Sequence, residues 1–480
     1  MSLLEWTGNP FVDSGIAAIL AHSKKRAPKD VTQDDLQAVN DFIKQVYVAP
    51  LWRKAFHSIF TGNYSLLQNS YKTDEKRKEK FYEMLDNYLA KIEELGTDGT
   101  CIACGRRNVI EKKNRTHVPL SGAKSSARGF FPAATDGADY CETCAFVIQF
   151  SPLAYYACGK YFDLLHSNSA KVMRRWAADT VAHVHGQRAS GNFTGCFNEG
   201  YTNPQNALFH LAQDLILKAG DDWRNENPSL RLYHFTNYIQ APELDIYDLP
   251  APVFKFLAEV KRHPRFRDWR RIVNRGFYFI KKGQQINLSV KGKPESDYKN
   301  SKNKVYQDLL AGRSILLRFI NTRLHKAYGD YSLLELYLTE VLAMDKTRIE
   351  TIKKVADEIA VFIRQSPKGK NRLRDLEAAT KYPYFCNVLR KIAKERITLS
   401  APSPLFTLQE FTEGLFPEGS YLSETRYLIL FRLYEQLHDW LLEQGITQEE
   451  AEDNIVEVGD DKPLAASDED DIQPLGGAIQ

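Results

Sequence analysis

Hydrophobic positions recur at helical spacing through most of the first hundred residues. We predict helices over three segments there: 15–21, 34–48 and 73–94. Thr32 precedes the second helix as a candidate N-cap, and Gly96 follows the third, where it can end the helix. The pattern predicts an N-terminal helical region over residues 1–96.

The pattern changes twice in the middle of the chain. From Cys101 to Cys144 the periodicity is lost and Gly, Pro, Ser and Ala accumulate, which is typical of a segment organised by a metal, so we predict a metal-binding module over residues 97–150. Residues 151–304 mix both kinds of periodicity and are predicted as an α+β region that binds nucleic acid. Helices are predicted over 145–166 and 170–185. Strands are predicted over 230–239 and on both sides of Gly283.

The C-terminal part of the chain is predicted to be helical and then disordered. Leu, Ile and Phe recur at three- and four-residue spacing in residues 305–445, which predicts a separate helical bundle. Residues 446–480 are acidic and poor in aromatic side chains, so we expect a disordered tail.

Composition places the chain among globular proteins. Of its 480 residues, 43% are hydrophobic. No apolar run approaches the roughly 18 to 20 residues that cross a bilayer. The N-terminus lacks the basic region and apolar core of a secretion signal. We therefore expect a soluble, cytoplasmic protein without a membrane partner.

Four of the seven cysteines fall in two CxxC pairs: Cys101 with Cys104, and Cys141 with Cys144. Four thiolates are the ligand set of a tetrahedral zinc ion. Because they fill the coordination sphere and leave no place for water, we predict structural rather than catalytic zinc. The predicted fold class is mixed α+β, mainly helical, with a zinc-stapled N-terminal region followed by a C-terminal helical bundle.

Three other interpretations of these cysteines stay open. They could be two unrelated pairs in a reduced core, or a redox-active motif, although no thioredoxin-like βαβ pattern surrounds them. His117 could also replace one cysteine as a ligand. The remaining cysteines, Cys158, Cys196 and Cys386, are interpreted as small packing residues.

Charge is distributed unevenly, although the formal net charge is only +3. Residues 255–304 carry 15 Lys and Arg against 4 Asp and Glu, whereas residues 445–480 carry 1 against 11. A basic segment this dense usually binds an anion, and aromatics such as Phe266 and Trp269 could stack on exposed bases. The alternative is a basic surface whose aromatics face the core. The cations predicted to contact the nucleic-acid backbone are Lys261, Arg262, Arg265, Arg267, Arg270, Arg271, Arg275, Lys281 and Lys282.

A loop rich in glycine and asparagine, residues 190–204, could approach DNA closely. The side-chain amides of Asn192, Asn198 and Asn203 can donate to acceptors in a minor groove, and glycine permits close approach of the backbone. An ordinary turn-rich loop is the alternative.

The sequence predicts a chain that is not an enzyme. Glu243 and Asp245, followed by Glu259 and Lys261, weakly resemble the acidic pair and ExK of a metal-dependent nuclease. Glu259 and Lys261 lie in a helical pattern, however, whereas that chemistry usually places them on a strand. A zinc-containing nuclease is kept as an alternative function.

Three stretches carry a likeness to a known family: TGNPFVDSGIAAI at 7–19, the two cysteine pairs, and RGFFPAATDGADYCETC at 128–144. Together they resemble the large subunit of a type I-B CRISPR Cascade effector complex. The likeness is clear over residues 1–150, and farther along only the layout is similar.

The resemblance implies a subunit beside the crRNA 5′ handle that inspects the protospacer-adjacent motif (PAM) of double-stranded target DNA. It would also help to open the duplex and contact the target and displaced strands. The residues placed at the PAM or the handle are Thr7, Asn9, Asn192, Asn198 and Asn203.

The resemblance also implies partners. They are crRNA, the Cascade backbone and handle-binding subunits, and a recruited helicase-nuclease or transposition machinery. The helical bundle resembles the Cascade small subunit, which some relatives also make from an internal start, and Met344 is a candidate start here. A structural zinc interaction protein is the last alternative.

Overall fold

The computed structural model describes residues 2–106, 108–120, 137–219, 227–238, 241–288, 295–399, 401 and 403–447. The chain forms two compact units, Met1–Ala251 and Pro252–Gln480. Both units combine helices with small antiparallel sheets, which confirms the mixed α+β, mainly helical class. Within the described residues, no helix is long and apolar enough to cross a bilayer. The predicted acidic tail lies, except for its first two residues, outside the described residues, and the five-segment division stays a prediction.

The first unit contains seven α-helices among its described residues, of which α1 is one of the most deeply packed. They are α1 Pro10–Ser23, α2 Gln33–Val46, α3 Pro50–Ile59, α4 Asp74–Ala90, α5 Glu142–Ile148, α6 Ala170–Ser190 and α7 Pro204–Ala219, with short 3-10 helices at Pro28–Asp30 and Ser151–Ala154. Helix α1 is buried from Phe11 to Leu20, because α2, α5 and α6 pack around it. The predicted N-cap is confirmed: Thr32 caps α2 and Asp35 bonds back to the Thr32 amide, which forms a capping box.

A four-stranded antiparallel sheet completes the core of the first unit. Its strands, in spatial order, are β3 Tyr155–Cys158, β4 Tyr161–Ser167, β5 Leu230–Thr236 and β6 Glu243–Leu249. A separate ribbon pairs β1 Asp98–Thr100 with β2 Asn108–Val109. The register of the larger sheet places Asp163 opposite His234, and His234 opposite Asp245, so these three side chains share one face.

The helix predicted over 145–166 is wrong for most of its length. Helix α5 ends at Ile148, the 3-10 helix Ser151–Ala154 follows, and the chain then forms the β3–β4 hairpin through Gly159, whose φ is 63°. Most of this hairpin is buried on both faces. A strand of that kind has a continuous apolar run, which periodicity cannot distinguish from a buried helix.

The second unit is mainly helical, and the helical C-terminal region predicted from the sequence is confirmed. Its helices are α8 Ala251–Arg262, α9 Phe266–Asn274, α10 Glu295–Asn300, α11 Lys304–Leu310, α12 Tyr331–Glu340, α13 Lys346–Gln365, α14 Gly369–Ala378, α15 Tyr382–Thr398, α16 Leu422–Gln436 and α17 His438–Glu443, with a 3-10 turn at Leu316–Arg318 and a π-helix at Glu410–Leu415. Helix α13 packs against α14 and α16 and forms the centre of this helical region.

Two small sheets accompany these helices. Strands β7 Phe277–Lys281, β8 Gln284–Asn287 and β9 Lys302–Asn303 form a sheet in the order β8-β7-β9, and β10 Ile320–Asn321 pairs with β11 Lys326–Ala327. The two strands predicted around Gly283 are confirmed. Lys282 and Gly283 both have positive φ at their turn, which suits the right-handed twist of a tight hairpin.

Candidate metal centre and candidate nucleic-acid contacts

Each cysteine pair is held in a single turn of backbone. The amide of Gly105 donates to the carbonyl of Cys101 at 2.8 Å, and Gly105 takes a φ of 63° that glycine adopts without strain. Cys141 is the N-cap of α5, where its sulfur accepts from the amide of Cys144. The amide of Ile102 donates to the carbonyl of Asp139 at 2.7 Å, which joins the two pairs.

The four sulfur atoms converge on one point. The Sγ atoms of Cys101, Cys104, Cys141 and Cys144 all lie within 4.8 Å of one another, and those of Cys104 and Cys141 are 3.9 Å apart. All four are free thiols, and Cys104 alone of the four is partly exposed. Separations of this size suit four ligands around one ion and are far beyond a disulfide bond. The sequence prediction that these cysteines converge is therefore confirmed, and their donor set fits zinc.

The thiols perturb one another strongly. The hydrogen bond to the Cys104 thiol raises the pKa of Cys101, but the hydrogen bonds to Cys141 and Cys144 together lower this pKa by more. The net result is a pKa of about 6 for Cys101. Hydrogen bonds from Cys101 and Cys141 hold the pKa of Cys104 far below its ordinary value, whereas those to Cys101 and Cys104 raise the pKa of Cys144. Four sulfurs this close share protons, and a divalent cation would displace those protons.

His117 lies outside the cysteine cluster. Its Nδ1 is 2.8 Å from the hydroxyl of Tyr88, and burial lowers its pKa to about 4. Close to the second pair, Lys113 and Glu142 form a buried ion pair at 2.8 Å. His117 is half-buried and bonds to Tyr88, and it does not join the four cysteines as a ligand.

Residues 94–156 match the model of a family described as CRISPR-associated protein (Cas_CXXC_CXXC). Over these residues the chain is similar to CRISPR-associated proteins. We call residues 94–156 the CRISPR-associated segment; it includes both cysteine pairs but only a small part of the chain. The coarse resemblance predicted from the sequence is thereby confirmed. No curated protein and no solved structure matches the chain.

The N-terminal motif of residues 7–19 is attached to this segment. Asp13 is buried and accepts hydrogen bonds from the Thr7 amide, the Thr7 hydroxyl and the Gly8 amide. Asn9 caps α1 by accepting from the amides of Phe11 and Val12, and its Nδ2 donates to the hydroxyl of Tyr140 at 3.2 Å. The side chains of Thr7 and Asn9, predicted to contact the PAM or the handle, are thus engaged within the chain.

The asparagine-rich loop 190–204 is ordered and anchored at its middle. Gln187 donates to the carbonyl of Gly195 at 2.7 Å and accepts from the Thr194 amide. Asn192 and Asn198 are exposed, although the Asn198 side chain also accepts from the Gly200 amide.

Asn203 differs from the other two asparagines, because it is half-buried and its side-chain oxygen accepts from two amides, those of Gln205 and Asn206 at the start of α7. Among the three predicted contacts in this loop, Asn192 and Asn198 therefore have the accessible amides.

The predicted basic segment divides into exposed and buried side chains. Arg270 is buried, and Lys261 is buried with its Nζ over the ring of Phe266 at 4.6 Å. Arg265 and Arg271 both pair with Asp268.

Other side chains of this segment reach its surface. Arg267, Lys281 and Lys282 are exposed, Arg262 is half-buried, and Arg275 stacks on the ring of Tyr328 at 4.1 Å.

Most aromatic side chains of this segment belong to the core. Phe266, Trp269, Phe277 and Tyr278 are buried, and only Phe279 is partly exposed. Stacking of the four buried rings on bases is therefore incompatible with this fold, and the alternative of core-facing aromatics is correct for them. Lys291 and Lys293, also part of the basic segment, lie outside the described residues.

A polar recess near this segment was missed by sequence reasoning. It has a volume of about 310 Å³, and its lining includes Arg275, Arg318, Asn287, Asn321 and Tyr328. These residues are widely spaced in the sequence and come together only when the strands and the 3-10 turn fold, so no local pattern could have indicated them.

The carboxylates of the nuclease alternative do not form a metal site with each other in the described parts of the chain. Glu243 and Asp245 are exposed on strand β6, and Glu243 accepts from the Tyr161 hydroxyl at 2.6 Å. Glu259 lies on helix α8, as its pattern predicted. Among described residues, the groups that could share a metal are the four cysteines and a second cluster, Cys158 with Asp163 and His234.

Proposed function

We propose that the chain is the non-catalytic large subunit of a crRNA-guided DNA surveillance complex of the type I-B Cascade class. The observation that carries this proposal is the four-cysteine centre inside the CRISPR-associated segment. The motif of residues 7–19, on which the resemblance depends, supports it, because the Asn9–Tyr140 hydrogen bond ties that motif to the residue before Cys141. Four thiolates leave no open coordination position, which favours a structural metal over a catalytic one.

In the proposed complex, crRNA reads the target by base pairing and this chain reads the short PAM duplex. The exposed amides of Asn192 and Asn198 are the groups available for base edges. Arg267, Lys281 and Lys282 are exposed cations suited to phosphates.

In the proposed complex, Thr7, Asn9 and Asn203 are positioning residues. The side chains of Thr7 and Asn9 hold the N-terminal motif in place, and that of Asn203 holds the start of α7.

The helical part of the second unit is the proposed counterpart of the Cascade small subunit. Met344 lies between α12, which ends at Glu340, and α13, which begins at Lys346. A product started there would retain helices α13 to α17. The other proposed partners are the backbone and handle-binding subunits and a recruited helicase-nuclease or transposition machinery.

The test is to co-express the chain with a crRNA and the proteins encoded beside it, and to purify what assembles. We expect a complex that contains crRNA and binds target duplexes only next to one short flanking sequence, selected from a randomised library. Failure to assemble with crRNA would overturn the proposal. Magnesium-dependent cutting by the isolated chain would support the nuclease alternative, and an absence of both DNA binding and cutting would support a structural zinc protein.

A further inference from the structure

The first unit contains a second cluster of metal-ligating side chains, built by its four-stranded sheet. Cys158 ends strand β3, Asp163 lies on β4, and His234 lies on β5 directly opposite Asp163. A sulfur, a carboxylate oxygen and a ring nitrogen from these three residues lie within 4.8 Å of one another. The cluster is separate in sequence from the two CxxC pairs.

The cluster is almost fully enclosed. Cys158 and Asp163 have no exposed surface, and His234 is 7% exposed. The Oδ1 of Asp163 is 2.6 Å from Nδ1 of His234, while its Oδ2 is buried without a hydrogen-bond partner. A buried carboxylate oxygen without a donor is unfavourable, and such an orphan in a native fold commonly marks an ion or water that completes the site.

We propose that Cys158, Asp163 and His234 form a second metal site, which takes a divalent cation of the zinc class. Thiolate and imidazole favour zinc over magnesium or calcium, which prefer sets of oxygen ligands. One thiolate and one carboxylate bring two negative charges, which balance the charge of one divalent cation inside the sheet. Three protein ligands leave one coordination position for water or another small ligand.

Binding of the cation changes where the protons of the cluster lie. The Cys158 thiol loses its proton to solvent as the metal–sulfur bond forms, and the proton of the Asp163–His234 hydrogen bond moves to Nε2 of His234, so that the ionised carboxylate and the unprotonated Nδ1 can both bind the metal. No oxidant or reductant takes part in this step.

The rim of the cluster supplies both an orienting contact and negative charge. The ring of Tyr161 packs on the ring of His234 with centroids 4.6 Å apart, which holds the imidazole in place. Asp245 lies opposite His234 in the sheet and is exposed, as is Glu243 two residues before it. Two exposed carboxylates beside a buried donor set attract a cation towards it.

The metal content of the intact chain tests the site. The full-length protein is purified, equilibrated with zinc, freed of loose ions by gel filtration and analysed by elemental mass spectrometry. We expect two zinc ions per folded wild-type chain, and one each in Cys158→Ser, Asp163→Asn and His234→Gln. Cys196→Ser, which alters another buried cysteine of the same unit, serves as the matched control and should retain two.

The zinc content of the wild-type protein tests the proposal even if a variant does not fold. One zinc per chain in well-folded wild-type protein overturns the proposal, and so does retention of two in all three variants. Cobalt replacement gives a second measurement: filling of the second equivalent should add the absorption of a site with one thiolate, distinct from that of four thiolates. If a second equivalent of cobalt binds without adding any thiolate absorption, the assignment of Cys158 as a ligand is also overturned. This inference does not depend on the proposed function.

Discussion

At the scale of single residues, the polar side chains of Asp13 and Asn9 hold the N-terminal motif together by hydrogen bonds. The buried Asp13 carboxylate gathers two backbone amides and a hydroxyl, and its Oδ2 lies 3.1 Å from Nε2 of His166. Asn9 uses its oxygen to cap α1 and its nitrogen to reach Tyr140. A short motif thus fixes the start of helix α1 and connects it to the cysteine centre.

The cysteine centre should hold the first unit together. We expect Cys101→Ser or Cys141→Ser to remove the zinc bound there and to cause aggregation, because a structural zinc contributes folding free energy on the order of 10 kcal/mol. The measurement is zinc content together with the soluble fraction after expression. Cys386→Ser, which changes a half-buried cysteine of the second unit, is the control. Soluble, well-folded Cys101→Ser protein with unchanged zinc content would refute this prediction.

His117 should make the protein less stable in mild acid. Burial lowers its pKa from 6.5 to about 4 in the folded state, so the unfolded chain binds the proton more tightly. The stability that the neutral imidazole provides is full above pH 6.5 and is lost as the pH falls towards 4. The complete loss is about 3 kcal/mol.

The comparison of wild type with His117→Gln isolates this effect, since glutamine can still bond the Tyr88 hydroxyl. Chemical denaturation between pH 7.5 and 5 should show a shallower decline of the unfolding free energy in the variant. Acid release of zinc affects both proteins and cancels in the comparison. The exposed His438 provides the control substitution, His438→Gln. Equal slopes for wild type and His117→Gln would contradict the assignment.

At the scale of elements, the β7–β8 hairpin is an accessible part of the predicted basic segment. Strand β8 is exposed along its length, and Lys281 and Lys282 lie at the turn. Arg270, by contrast, is buried in α9, so its replacement would disturb the fold rather than a binding surface. A test of DNA binding should therefore use the hairpin.

The double substitution Lys281→Glu with Lys282→Glu should weaken binding of the assembled complex to every duplex about equally. Each lost phosphate contact should lower the steepness of the salt dependence by about 1. Filter binding or fluorescence anisotropy at several salt concentrations measures this slope. Lys54→Glu with Lys91→Glu makes the same change of charge at exposed positions outside the basic segment. An unchanged slope in the hairpin variant would show that the hairpin contacts protein or solvent.

Elements also show what sequence patterns could and could not predict. The cap at Thr32 and the hairpin around Gly283 were predictable, because each depends on a few adjacent residues with distinct conformational preferences. The β3–β4 hairpin was mistaken for a helix, since burial on both faces removes the alternation of a strand.

The same distinction applies to the sites. A CxxC pair places two ligands in one turn, so its spacing alone predicts half of a metal centre. Asp163 and His234 meet only through the pairing of β4 with β5 across 71 positions of sequence, and the recess around Arg275 and Arg318 likewise depends on tertiary packing. Sites of this second kind have no local signature that a sequence pattern could reveal.

At the scale of the whole molecule, the two compact units divide the proposed tasks. The first unit contains the CRISPR-associated segment, the N-terminal motif and the asparagine-rich loop. The second contains the basic hairpin and the helical region with Met344. The proposed function assigns sequence-specific reading by amides and sequence-independent contact with phosphates to different units, so the two should respond to different substitutions.

The last prediction tests that separation in the assembled complex. Asn192→Ala and Asn198→Ala should cost roughly 1 to 3 kcal/mol on targets with the correct PAM, because amide contacts to base edges are lost. Binding to unrelated duplexes should stay nearly intact, since phosphate contacts are untouched. The measurement is the affinity for target duplexes with matched and mutated PAMs, with Asn87→Ala, an exposed asparagine of α4, as control. Because Asn198 also bonds the Gly200 amide, a loss seen only in Asn198→Ala would reflect the loop, whereas a loss in Asn192→Ala requires direct contact. If both variants discriminate between PAMs as the wild type does, the loop is not the reader.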